Sequence, residues 1–322
     1  MIAEGGTEHF HAVTMARSRN ILGPYEGFRG NPILTHRHLG MDYPICNVGH
    51  ADLVQLQDGS WYMVMLASRI YGGYHKNLGR ETFIAPVDWS GEWPVVSPGT
   101  GRVEWRYPAP DLPDAPVPTQ DPDDFSSPVW NTLGTPGKGD FRLENGKLHL
   151  LCQAKKPLPD NAPDTRRPNG TLGFYGRRQQ HMSFSASVEA VLPPACDASC
   201  GLMVLQNNFA QLRIELCRNS GTVKLRALKG WIDEQGRHEE LLAETAPDTS
   251  AARLEIAAQG QTYRFLVNGA ELAQAHGGFL GSETCGGFVG AYVGPFASGH
   301  GEGCAVFSDF RYDPRDIAPM PQ

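Results

Sequence analysis

Apolar residues recur at alternate positions along much of this chain, in short runs closed by turn-forming residues. In QLRIELC, Leu212, Ile214 and Leu216 fall on one side, and in TVKLRAL, Val223, Leu225 and Ala227 do the same. Each run predicts a strand with one buried face. In TYRFLVNGAEL, the alternating Tyr263, Phe265 and Val267 lead into Asn268-Gly269, a pair that accepts positive φ and predicts a two-residue hairpin turn. The final run, CAVFSDFRYD, alternates as well. About ten such strands with no helical pattern between them predict a two-sheet sandwich. Nearer the start, HAVTMARS, ADLVQLQ, WYMVMLAS and TFIAPVDW are strand-length and bounded by turn signals such as Gln57-Asp58-Gly59-Ser60. Between them lies YPAPDLPDAPVPTQDP, Tyr107 to Pro122, whose six prolines remove backbone donors and predict a linker or extended strap. The expected organisation is therefore residues 1–106, a linker over 107–122 and a sandwich over 123–322, all-β throughout.

Composition narrows the possible partners. The chain has 322 residues, 40% hydrophobic and 20% charged, enough for two cores. A net charge of −7 gives no electrostatic reason to approach nucleic acid or an anionic membrane surface. No apolar run reaches the roughly 18 residues a membrane helix needs. The opening MIAEGGTEHFHAV lacks the basic and apolar stretches of a secretory signal, so the chain as written is expected to stay in the cytoplasm; a segment upstream of it would reopen export. The seven cysteines (Cys46, Cys152, Cys196, Cys200, Cys217, Cys285, Cys304) show no zinc-like spacing and are expected to be free thiols, with a Cys196–Cys200 pair conceivable only after export. The Asn169-Gly170-Thr171 sequon reads as chance.

Glu4 stands before Gly5 and Gly6, where small residues allow a tight backbone with room for a ligand. By itself that is a weak signal. It gains weight from its neighbours in order: AEGGTEHFHAVTMARS (3–18), GPYE (23–26), NPILTHR (31–37), GHADLV (49–54), LGRETF (78–83) and WPVVSPGTG (93–101). This series resembles family 43 glycoside hydrolases. DDF (123–125), RRQQHMSF (177–184), GLMVLQN (201–207) and FVGAYVG (288–294) resemble the concanavalin A-like sandwich appended to the β-xylosidase and α-L-arabinofuranosidase branch of that family.

The resemblance implies the last blades of a five-bladed β-propeller followed by that sandwich. It implies Glu4 as the general acid, which must hold its proton near neutral pH through burial or a neighbouring carboxylate. It implies His50 at the floor of a sugar pocket, where some members hold a calcium ion through water. Arg80 is implied beside the catalytic carboxylates and the sugar, with an ion pair to Glu81 or another acid as the structural alternative. Phe288 is implied as an aromatic side chain that closes one side of the pocket, against the alternative of an ordinary core phenylalanine.

The family also carries an aspartate base and an acid-orienting aspartate in blades ahead of the AEGG motif, positions this sequence does not contain. The chain is therefore expected to be an N-terminally truncated, poorly active fragment, since an inverting reaction needs two carboxyl groups roughly 6.5–9.5 Å apart and loss of the base forfeits on the order of 10² to 10⁴ in rate. The expected activity of the intact protein is exo-acting, inverting release of xylose or arabinofuranose from xylo- or arabino-oligosaccharides. The alternative is a non-catalytic carbohydrate-binding or structural sandwich. A second calcium site, on Asp124 and Asp309 of the sandwich, is a weaker expectation. No organic cofactor is expected, and a homo-oligomer is left open.

Overall fold

The computed structural model describes residues 1–110, 112–113, 122–153, 173–194, 196–207, 210–300 and 303–316. Most of the proline-rich stretch and all of Asn169-Gly170-Thr171 lie outside the described residues. Two compact units are present, one within Met1–Val117 and one over Pro118–Ile317. Strands dominate both. The described helical structure is one four-residue turn, Ser282–Cys285, and two short 3-10 turns, so none of it is long and apolar enough to cross a membrane.

The first unit is propeller-like. Its largest sheet is a four-stranded antiparallel meander of Ile45–Gln55, Trp61–Arg69, Glu81–Asp88 and Val95–Val96, neighbours in chain order as in a propeller blade. A three-stranded sheet pairs Ile2–Glu4 with Ala12–Thr14 and that strand with Leu34–Thr35. A small ribbon of Ala16–Arg17 and Glu26–Gly27 completes the unit. Val13, Leu34, Ile45, Val48, Met63 and Met65 form one core between the two larger sheets. The Asp58-Gly59 turn closes as its sequence predicts: Gly59 has φ +89°, and Asp58 Oδ1 accepts the Ser60 N–H at 2.9 Å.

The second unit is a sandwich of two seven-stranded antiparallel sheets, four strands more than the alternation suggested. One sheet runs, in spatial order, from Asn131–Thr132 through Gly173–Arg178, Tyr292–Gly299, Ala198–Asn207, Ala210–Asn219 and Thr222–Asp233 to Gly236–Thr245. The other runs from Phe141–Glu144 through Lys147–Leu151, Cys304–Pro314, Ser183–Val191, Ala251–Gln259 and Thr262–Val267 to Ala270–His276. Asn268 and Gly269 take φ +48° and +82° at the predicted hairpin. Leu212, Ile214, Leu216, Leu225, Ala227, Tyr263 and Phe265 all enter the core between the sheets.

One expectation fails here. The strand Ala210–Asn219 is buried on both faces, not one. Opposite its apolar side, Arg213 donates to Glu215 at 2.9 Å and to Glu239 at 2.7 Å, while Arg226 pairs with the other Glu215 oxygen. Mutual neutralisation is what lets these charges leave water. The cysteines are all free, including Cys196 and Cys200. Burial pushes the Cys152 thiol up to about 12, so it is an inert core group and not a nucleophile.

Candidate active site

Glu4 ends its strand, and Gly5 and Gly6 follow with φ of +73° and +71°. Two successive left-handed residues fold the chain back sharply. A side chain on Gly5 would put its Cβ 2.0 Å from the Phe10 carbonyl oxygen, so glycine is required there. The turn returns His11 to the start of the next strand, with its Nδ1 3.1 Å from the Glu4 carbonyl oxygen.

The innermost strand of the four-stranded sheet, Ile45–Gln55, shifts register twice against Trp61–Arg69, on either side of Gly49. Asn47 and His50 sit in left-handed conformations at these irregularities, with φ of +56° and +52°. The His50 side chain is consequently exposed and not part of the ladder. Gly49 has its own reason to be glycine: a Cβ there would lie 2.2 Å from the His11 ring.

His11 is the meeting point. It is 2% exposed, and Arg80 approaches its Nε2 through Nη2 at 3.3 Å. Burial lowers its pKa from the ordinary 6.5; Arg80 and His50 act in the same direction, against the pull of the Glu4 carbonyl. The Glu4 main-chain carbonyl and the Arg80 guanidinium thus meet on one buried imidazole, with His50 near enough to act on its charge. Glu81 is held by Arg69 in two contacts of 2.8 and 2.9 Å. The counter-charge felt by Arg80 comes from Glu8, which also takes Lys76 and accepts from Asn47 at 3.3 Å.

The Glu4 carboxylate has a less enclosed setting than a proton donor requires. Its side chain is 44% exposed, and its recorded ionic partner is Arg37 at 3.9 Å, not a second carboxylate. Phe288 belongs to the second unit, where Gly286 and Gly287, at φ +72° and +81°, present it 59% exposed. It is therefore not a core phenylalanine.

Among the described residues there is no group of three or more His, Cys, Asp or Glu side chains arranged to hold a metal ion. In the sandwich, Asp309 is committed to Arg253 at 2.7 Å and to Arg311 at 3.0 Å, and Asp124 caps the Ser126 N–H at 2.8 Å.

Against this geometry, residues 122–313 match the β-xylosidase C-terminal concanavalin A-like domain, and residues 1–94 match glycosyl hydrolases family 43. The chain belongs to glycoside hydrolase family 43. A xylosidase/arabinosidase of Butyrivibrio fibrisolvens is 34% identical over 96% of the chain and 60% of its own length. The non-reducing-end α-L-arabinofuranosidase BoGH43B of Bacteroides ovatus is 33% identical over 96% of the chain and 58% of its own length. The crystal structure of the family 43 protein BlXynB from Bacillus licheniformis superposes with a TM-score of 0.84 at 27% identity, covering 97% of this chain and 62% of that one. The family 43 chain thus spans about 60% of the length of the curated relatives it matches.

Four residues escaped the sequence reading: His11, Glu8, Arg37 and Lys76. Each lies within or close to a quoted motif, but their contacts span up to 69 positions in the chain, as between His11 and Arg80. Such contacts leave no local signature.

Proposed function

We propose that the Glu4–His50–Arg80 region forms part of the sugar pocket of an exo-acting, inverting glycosidase that releases xylose or arabinofuranose from the non-reducing ends of hemicellulose oligosaccharides. Glu4 is the proton donor to the departing glycosidic oxygen. Arg80 offers planar N–H donors to sugar hydroxyls and to a carboxylate across the site. His50, exposed on its bulge, faces the ring. The observation that carries this reading is the convergence of the Glu4 main chain, His50 and Arg80 on His11.

In this chain the Glu4 carboxyl has Arg37 beside it at 3.9 Å. Inversion needs a second carboxylate to activate water from the opposite face of the sugar. The test is hydrolysis of the nitrophenyl β-D-xyloside and α-L-arabinofuranoside by the complete product of the gene encoding this chain, with and without Glu4→Gln. Cleavage of either glycoside that is lost in Glu4→Gln supports the reading; cleavage of neither, or full activity in the variant, overturns it.

A further inference from the structure

His11 lies between two partners whose hydrogen-bonding roles are fixed. The Glu4 carbonyl oxygen, 3.1 Å from Nδ1, can only accept. The Arg80 guanidinium, 3.3 Å from Nε2, can only donate. One protonation state satisfies both: a neutral ring with its hydrogen on Nδ1. The opposite tautomer would set an N–H against the guanidinium N–H and a lone pair against the carbonyl. The imidazolium would repeat the first clash and add a positive charge next to Arg80.

The surroundings favour the neutral ring too. It is buried, and the charged and titratable groups around it are Arg80 from the turn before Glu81–Asp88, His50 from the bulged strand, and Glu8 on its own loop, whose carboxylate is taken up by Lys76. The neighbouring strand Leu34–Thr35 contributes only the Thr35 hydroxyl, which donates to the His11 carbonyl at 2.9 Å. Gly49 leaves the space that the ring fills.

We propose that His11 is a positioning residue of the sugar pocket, locked in its Nδ1–H tautomer so that it ties the main chain presenting Glu4 to the guanidinium of Arg80. The assignment of a pocket rests on the function proposed above; the lock itself does not. With one N–H of Arg80 committed to His11, the guanidinium plane is set, and its remaining donors keep one direction. The general acid and the sugar-binding arginine then share a single frame, although 76 positions separate them in the chain.

The lock is read directly from long-range proton–nitrogen NMR spectra of the chain labelled with ¹⁵N-histidine, His11 being assigned by the signal that disappears in His11→Asn. A protonated Nδ1 with an unprotonated Nε2 is the expected result. An Nε2–H ring, or a mixture of tautomers, overturns the proposal. In the complete gene product, His11→Leu should lower kcat/KM on the cleaved pentoside by about 10-fold or more, the scale of a lost hydrogen bond to a charged group. His11→Asn keeps a donor for the Glu4 carbonyl and should restore part of that loss. Unchanged turnover in a folded His11→Leu protein overturns the positioning role. Should the unaltered protein cleave neither pentoside, the hydrolase reading falls together with the pocket, while the spectra still decide the lock.

Discussion

Acidification should strip stability from the first unit chiefly through one side chain, His36. It is 3% exposed and sits between two backbone groups: its Nδ1 donates to the Ile45 carbonyl at 2.7 Å, and its Nε2 accepts the Val103 N–H at 2.9 Å. Burial lowers its pKa from 6.5 to about 4, a shift the Ile45 carbonyl opposes and the charges of His38 and Arg102 reinforce. The unfolded chain therefore binds the proton more readily than the folded one. Stability is intact above 6.5, falls as pH drops through that value, and stops falling once the folded state also protonates near 4. At about 1.4 kcal/mol per pH unit, that window is worth about 3 kcal/mol. The check is amide hydrogen exchange in the strand Ile45–Gln55, corrected for intrinsic rates, at about pH 7 and about pH 4, in the unaltered protein and in His36→Gln. Glutamine keeps a donor and an acceptor but does not titrate, so the carboxylates' contribution cancels in the difference. The unaltered protein should lose about 3 kcal/mol more than the variant. Equal losses, or an imidazole that titrates at its ordinary value by NMR, would refute the reasoning.

Three substitutions probe other parts of the structure. Gly49→Ala places a methyl group 2.2 Å from the His11 ring, so it should destabilise the first unit by about 1–3 kcal/mol and displace His11, with a lowered melting temperature and a shifted His11 NMR signal as the readout; unchanged values would mean that the ring does not fill that space. Glu215→Gln leaves Arg213 and Arg226 without their shared carboxylate, and urea unfolding should show a loss of about 3–5 kcal/mol; a loss below about 1 kcal/mol would put the network in the class of solvent-screened pairs. Phe288→Ala removes an exposed ring and should leave melting of the sandwich unchanged within about 0.5 kcal/mol. A larger loss would mean that the ring is packed into the sandwich instead of standing clear of it.

The sandwich strands could be read from the sequence because their alternation follows directly from the pleat, and Asn268-Gly269 names its own turn. The double burial of Ala210–Asn219 could not. Gln211, Arg213 and Glu215 alternate with leucine and isoleucine exactly as solvent-facing residues would, and only the cross-strand neighbours Arg226 and Glu239 show that they form a closed ionic network. At the candidate site, Glu4, His50 and Arg80 were accessible through motifs that carry a family pattern. His11 was not, since a histidine between Phe10 and Ala12 at the start of a strand announces nothing. Its importance depends on Gly49 being opposite it and on Arg80 being within reach.

His11 and His36 solve the same physical problem. The strand Ile45–Gln55 forfeits regular ladder bonds at its two register shifts, and the neighbouring sheet reaches it through strands of only two or three residues. A neutral imidazole can donate from one edge and accept at the other, so one side chain joins two segments that cannot pair as strands. His36 joins Ile45 to Val103, and His11 joins Glu4 to Arg80. Neither bridge survives protonation, because the accepting nitrogen becomes a donor. Among the described residues of the second unit, the buried charges are arginine–carboxylate pairs. Acid between the ordinary histidine range and about 4 therefore acts through His36 on the unit that carries Glu4, loosening the frame around it.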